Sequence, residues 1–189
     1  MRIRGALLTA AVLVTGLVGA AGSAAATEKP ATTTVRSTAA AAAPYCGITW
    51  GSLAKSGGTL SQARLIEART GRHTCYDRVV FEFNGAANGY SVHYGEAYTE
   101  GQGQPLSPIT AGGALLAVSL RAPASTYRTG DHVANVTGYR TLRDVVFGGS
   151  FEGYTTFAVG VRARLPYRVF VLSGPGTHSR IVIDVARRW

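Results

Sequence analysis

Arginine is the residue of this sequence best placed to do chemistry. Arg162, Arg164 and Arg168 surround Pro166-Tyr167 in the last quarter of the chain. Alternation along the run Thr155–Arg164 puts Arg162 and Arg164 on one face, so their guanidinium groups project together. The planar guanidinium fork suits bidentate recognition of a carboxylate or a phosphate. The solvated outer face of an amphipathic strand accounts for the same spacing. A second group, Tyr90, Tyr94 and Tyr98, lies beside a loop rich in Gly, Gln and Pro between Gly95 and Pro108, where aromatic faces could stack on sugars. Core packing explains Tyr90 and Tyr94 equally well. A third group is the cationic, aromatic tail Arg187-Arg188-Trp189. The expected ligand-binding residues are Arg162, Arg164, Arg168, Tyr167, Tyr90 and Tyr94.

Catalytic residue types are present without a pattern that organises them. In Gly149-Ser150-Phe151-Glu152-Gly153 the serine is misplaced for a Gly-x-Ser-x-Gly elbow. Neither His-Glu-x-x-His nor a phosphate-binding loop occurs. Asp131-His132 would serve a triad only if folding brought a distant nucleophile to it. Glu82 and Glu152 would serve glycoside hydrolysis only at a separation that sequence does not define. The expectation is a protein with no catalytic residues, no metal and no cofactor.

The elements that must carry these residues read as short strands. Two of them are near-copies: Asp77-Arg78-Val79-Val80-Phe81-Glu82-Phe83 and Ser179-Arg180-Ile181-Val182-Ile183-Asp184-Val185. Val79, Phe81 and Phe83 alternate onto one face, as do Ile181, Ile183 and Val185. Paired antiparallel about the central valines, Arg78 meets Asp184 and Glu82 meets Arg180. A parallel register would set like charges opposite each other, so the charges favour the antiparallel one by ~0.2–1 kcal/mol per pair. Further strands are expected at Tyr90–Tyr94, Leu115–Ala122, Leu142–Phe147, Thr155–Arg164 and Tyr167–Leu172, while Ala63–Arg69 reads as strand or helical turn. Strands spaced ~10 residues apart with Gly and Pro between them predict an all-β, two-sheet β-sandwich of mostly antiparallel strands, with room for one short helix.

Three segments are expected. Residues 1–26 read as an export signal: Arg2 and Arg4 precede a short apolar run, and Ala24-Ala25-Ala26 offers a small-x-small cleavage site. That run is too short and too interrupted for a membrane anchor, which needs ~20 apolar residues. Residues 27–44, rich in Ala, Thr and Pro, cannot bury enough surface to offset ordering entropy and read as a flexible tether. Residues 45–189 read as one domain. The chain carries 19 Lys and Arg against 10 Asp and Glu; without Arg2, Arg4, Lys29, Arg36 and Glu28 the domain keeps 15 against 9, a net of +6. In an exported domain that balance favours anionic envelope polymers over nucleic acid as partners, although solubility alone also accounts for it. Cys46 and Cys75, the two cysteines of the chain, are expected to form a disulfide worth roughly 3 kcal/mol in the loop-entropy model. The competing reading is a metal site built on Cys46, His73 and Cys75.

Several of these stretches resemble a known family when taken together. Tyr76-Asp77-Arg78-Val79-Val80-Phe81-Glu82-Phe83 with Gly85, Phe151-Glu152-Gly153, Val159-Gly160-Val161-Arg162, Pro166-Tyr167-Arg168-Val169 and Arg180-Ile181-Val182-Ile183-Asp184-Val185 are similar in order and spacing to the AMIN-like domain of exported actinobacterial proteins. The opening Cys46-Gly47-Ile48-Thr49-Trp50-Gly51-Ser52 is similar to the start of many of these proteins. The resemblance implies a β-sandwich related to domains that target enzymes and secretins to peptidoglycan. It therefore implies a secreted or cell-wall-associated, non-enzymatic module. Its partner would be peptidoglycan or an anionic wall polymer attached to it. An envelope protein held through an edge strand is the alternative, and a secreted wall hydrolase a more distant one.

Overall fold

The near-copy strands are neighbours, in the register that their charges predict. The computed structural model describes residues 44–189; the expected export signal and all but the last residue of the expected tether lie outside them. Nine strands follow in order: β1 (Lys55–Gly57), β2 (Leu65–Arg72), β3 (Tyr76–Phe83), β4 (Tyr90–Tyr94), β5 (Ala114–Leu120), β6 (Leu142–Phe151), β7 (Tyr154–Val161), β8 (Tyr167–Ser173) and β9 (Ser179–Ala186). Short 3-10 turns at Tyr45–Gly47 and Ser107–Ile109 are the helical elements among the described residues. The strands form two antiparallel sheets, β2-β3-β9-β8 and β1-β4-β5-β7-β6. In the first, Arg78 stands opposite Asp184 and Glu82 opposite Arg180. The ambiguous stretch near Ala63–Arg69 is strand, and β1 is an addition to those expected.

Alternation sends one face of each sheet inward. Val79, Phe81, Phe83, Ile181, Ile183 and Val185 meet Leu116, Val118, Leu120, Phe157, Val159 and Val161, all fully buried or nearly so. Phe81 and Phe157 touch across the gap with ring centroids 4.7 Å apart. The outer face of the five-stranded sheet is also covered. The Gly- and Pro-rich loop after β4 folds back so that Ala97 and Leu106 pack on Ala117, Val146 and Ala158. That approach explains Gly160 within a strand interior: a Cβ there would fall 1.8 Å from the Ala111 carbonyl oxygen. Residues Glu152 and Gly153 both take positive φ, 48° and 82°, as a two-residue hairpin between right-twisted strands requires. Phe151-Glu152-Gly153 is therefore the tip of the β6–β7 hairpin.

The outer face of the four-stranded sheet is charged. Arg78 donates from Nε to Asp184 Oδ1 (2.6 Å), and Arg168 donates from Nε to Asp184 Oδ2 (2.8 Å). The Asp184 carboxylate, fully buried, thus serves two guanidinium groups, and it raises the pKa of Arg78 through that hydrogen bond. Glu82, though opposite Arg180 in register, pairs with Arg69 of β2 and accepts from His178 Nδ1 at 3.0 Å.

Cys46 and Cys75 are disulfide-bonded, so neither thiolate is free for a metal site with His73. The bond ties the N-terminal segment to the β2–β3 turn. Two further contacts hold that segment: Trp50 Nε1 donates to the Tyr45 carbonyl (2.8 Å), and the Tyr167 N–H donates to the Gly51 carbonyl (2.8 Å).

Candidate functional site

The three arginines expected to act together stand in three different places. Strand β7 ends at Val161 and the chain bends through Arg162–Arg164, so alternation no longer holds where the two side chains leave the backbone. Arg162 and Arg164 are both exposed but line separate concavities. Arg164 lies over the Tyr94 ring, 4.8 Å from its centroid, in a hollow that also includes Glu96 and Ser107. Arg168 lies on the charged outer face, committed to Asp184 and stacked 5.6 Å from Trp50 and 5.5 Å from Tyr76.

The tyrosines are held by the sandwich itself. Tyr167 is fully buried, with its hydroxyl 2.8 Å from both the Leu53 and the Val92 carbonyl oxygens, either of which can accept its single proton. Tyr94 donates to the Leu165 carbonyl (2.6 Å) and accepts from the Leu165 N–H (3.0 Å). Burial pushes both phenols up to about 12, so each remains a neutral hydrogen-bonding group. Tyr90 is half-buried beside a groove of about 750 Å³ that it shares with Leu60 and Val171. Tyr98 is exposed on the loop after β4.

What the fold assembles instead is an arginine basin at one end of the sandwich. The register Tyr76↔Ala186 brings the β2–β3 turn beside the residues that follow β9, and Leu142↔Val161 brings the start of β6 beside the residues that follow β7. Both sheets therefore deliver their strand ends to the same place. Arg140, Arg162, Arg187 and Arg188 line a concavity of about 480 Å³ with Tyr45 and Thr74. A second, of about 310 Å³, shares Thr74, Arg140 and Arg187 with it and adds Arg72, His73 and Gly138. No carboxylate lines either one among the described residues.

Beneath them lies Asp77, fully buried on β3. Its Oδ2 accepts from the Thr141 N–H and, at 3.3 Å, from the Leu142 N–H, which joins the two sheets. Its Oδ1 pairs with Arg187 Nη2 at 3.5 Å, and Arg187 Nη1 donates to the Thr74 carbonyl at 2.8 Å. Arg162 Nη2 donates to the Arg187 carbonyl oxygen. The Arg188 guanidinium carbon lies over the Tyr45 ring, 4.6 Å from its centroid, and that of Arg72 lies 5.8 Å from the Tyr139 centroid. Two polar atoms beside the Asp77 clasp, Thr141 Oγ1 and Arg187 Nε, are buried without a hydrogen-bond partner. Counting Arg72, Arg140, Arg162, Arg187 and Arg188 against Asp77 leaves this end at +4.

Nothing in their sequence context singles out Arg72 and Arg140: Arg72 ends β2 opposite Asp77, Arg140 lies just before β6, and neither is flanked by Lys, Arg, Asp or Glu. The other catalytic combinations resolve into structural contacts. His132 Nδ1 lies 2.9 Å from Asp144 Oδ1, and Asp144 also accepts from the Val145 and Ala111 N–H groups. Glu82 is engaged by Arg69 and His178 on the outer face, whereas Glu152 is exposed at its hairpin tip.

A family model of the AMIN-like domain matches residues 63–187, from the start of β2 to the basin arginine Arg187. No curated protein matches the sequence. The match covers about two thirds of the chain and the antiparallel sandwich just described, apart from β1: the chain belongs to the AMIN-like domain family.

Proposed function

We propose that this protein is an exported, non-enzymatic cell-envelope module that binds peptidoglycan or an anionic polymer attached to it. Membership of the AMIN-like family points to the envelope, and the Cys46–Cys75 disulfide suits an oxidising compartment outside the cytoplasm. The observation that carries the reading is the arginine basin. Five guanidinium groups line adjoining concavities that no acidic side chain lines among the described residues, and the Asp77 carboxylate paired with Arg187 is buried. Such an end attracts a polyanion and favours it locally once bound. A wall offers the same anionic group many times over, so weak individual contacts add up through avidity.

Of the residues first expected to bind, Arg162 keeps that role, joined by Arg72, Arg140, Arg187 and Arg188. Arg164 with Tyr94 forms a secondary hollow on the same reading. Tyr167 and Arg168 support the fold around them.

Co-sedimentation with purified sacculi tests the proposal. The full-length protein is retained, retention falls as salt rises, and Arg140→Ala with Arg188→Ala weakens it. Screening lengths of about 10 Å at 0.1 M and 3 Å at 1 M ionic strength set the range over which the loss occurs. Equal recovery in the supernatant with and without sacculi at low salt would refute it.

One observation supports a second reading, a protein partner added at a sheet edge. Among the described residues strand β8 pairs only with β9 along Val169–Ser173, and Val171 is 38% exposed beside the groove that holds Tyr90 and Leu60. Strand addition there would use main-chain hydrogen bonds with side-chain pockets alongside. Val171→Lys then abolishes capture of an envelope protein from wall-digested extract while leaving sacculus retention intact.

A further inference from the structure

We infer that the arginine basin is a phosphate site, and that its ligand is a phosphodiester-linked wall polymer rather than the carboxylates of peptidoglycan stems. This rests on the envelope reading above and names the group that the module holds.

Donor chemistry is the first support. All five cations of the basin are arginines, and lysine occurs in the described residues only at Lys55. Guanidinium forks present paired N–H donors at fixed angles, and forks arriving from different directions suit a tetrahedral anion with several acceptor oxygens. Here they do arrive from different directions: Arg72 from the end of β2, Arg140 from before β6, Arg162 from after β7, and Arg187 and Arg188 from after β9. A single planar carboxylate, with its acceptors in one plane, leaves most of them unused.

Charge is the second. Among the described residues, Arg72, Arg140, Arg162 and Arg188 have no acidic partner, although nine acidic side chains are available in the domain. On the outer sheet face Arg69, Arg78 and Arg168 are ion-paired while Arg180 is not, and Arg64, Arg121, Arg128, Arg143 and Arg164 also lack an acidic partner among the described residues. What sets the basin apart is that its unpaired guanidinium groups are gathered around adjoining concavities. Guanidinium groups gathered without counter-charge repel one another, and the fold restrains them by other means: Tyr45 beneath Arg188, Tyr139 near Arg72, and the Arg187 carbonyl accepting from Arg162. The third support is the pair of buried, partnerless polar atoms beside Asp77, the Thr141 hydroxyl and Arg187 Nε. Unsatisfied buried groups are rare and cost free energy unless something hydrogen-bonds them.

Geometry points to a polymer. The two concavities share Thr74, Arg140 and Arg187, so anions seated in both lie side by side with common donors between them. A chain that carries one negative charge per phosphodiester meets that arrangement with consecutive repeats.

Calorimetric titration of the full-length protein tests this with a synthetic poly(glycerol phosphate) oligomer, poly-glutamate of equal charge, an oligonucleotide of equal charge and inorganic phosphate, all at one ionic strength. The phosphate oligomer should bind more tightly than poly-glutamate and than single phosphate ions. Arg140→Ala with Arg188→Ala, both exposed and outside the Asp77 clasp, should weaken it by about tenfold or more, and the corresponding lysine pair by an intermediate factor, because charge is kept and the fork is lost. Arg128→Ala, which removes a charge elsewhere, is the control and should change affinity little.

Equal affinity for poly-glutamate, or lysine variants indistinguishable from wild type, would overturn the phosphate assignment in favour of bulk charge. Equal affinity for the oligonucleotide would overturn the wall-polymer assignment. Sacculi stripped of phosphodiester polymer separate the two proposals. Undiminished retention on them would refute the phosphate site while sparing the envelope reading. Phosphate-oligomer binding without retention on any sacculus would refute the envelope reading while sparing the site.

Discussion

Removing the Asp77 carboxylate should destabilise the fold and, in its gentler form, tighten the basin. In Asp77→Ala three interactions vanish together: the Thr141 and Leu142 N–H groups lose their acceptor, and Arg187 loses its carboxylate. A buried donor left unsatisfied costs about 1–3 kcal/mol. Breaking a buried ion pair from one side costs about 3–5 kcal/mol. The Arg187 side chain is 17% exposed and keeps its bond to the Thr74 carbonyl, so its share lies at the low end. The sum for Asp77→Ala is about 5–9 kcal/mol, comparable with the whole 5–15 kcal/mol typical of a domain.

Asp77→Asn differs in a way that separates the causes. Its amide oxygen can still accept from Thr141 and Leu142, so the junction between the sheets is kept, while its NH₂ faces another donor on Arg187. About 1–2 kcal/mol is expected. The negative charge beneath the basin is also gone, taking that end from +4 to +5, so a polyphosphate ligand should bind more tightly as the protein becomes less stable. Urea denaturation followed by tryptophan fluorescence measures the first effect and titration of the folded variant the second. An alanine variant within about 1 kcal/mol of wild type would show that the clasp does not join the sheets. An asparagine variant that loses affinity would show that Arg187 must be held by charge to serve the basin.

Two further outcomes follow from contacts elsewhere. The hydrogen bond from His178, reinforced by Arg69, holds the Glu82 carboxyl below its usual range against the opposing effect of burial. A carboxylate with a lowered folded-state pKa stabilises fully above its unfolded value of about 4.3 and loses that contribution as pH falls through the folded value. Wild type should therefore lose stability more steeply than Glu82→Gln on acidification below about pH 4.3, and parallel denaturation midpoints for the two proteins over that range would refute the pairing. Replacing Cys46 and Cys75 by serine opens a loop with a sequence separation of 29 and should cost about 3 kcal/mol. Because the disulfide anchors the segment that places Tyr45 under Arg188, ligand affinity should fall under conditions where the variant is still folded; unchanged affinity would show that Tyr45 is positioned by Trp50 alone.

The sandwich was legible because its central pair of strands carries register information in its charges. Arg78 opposite Asp184 fixes β3 against β9, and alternation then assigns Phe81 and Ile183 to the core without further input. The same register already contained half of the basin. Once Tyr76 is set against Ala186, the turn bearing Thr74, with Arg72 at the end of β2 leading into it, must lie beside Arg187 and Arg188. The arginines near Pro166 form one cluster only if alternation continues past Val161, and there the strand ends and the chain bends, so Arg162 alone of the three reaches the basin. Arg140 was beyond reach for a different reason: it comes to the site through Asp77, a side chain that reads on sequence as the edge of an amphipathic strand. Its carboxylate is the part that binds one sheet to the other. A buried acid that accepts from backbone N–H groups across the sandwich leaves no period and no motif in the chain. It also decides which loops share an end. In this protein the site is therefore a consequence of inter-sheet contact, and strand pattern alone locates only the residues that one sheet contributes.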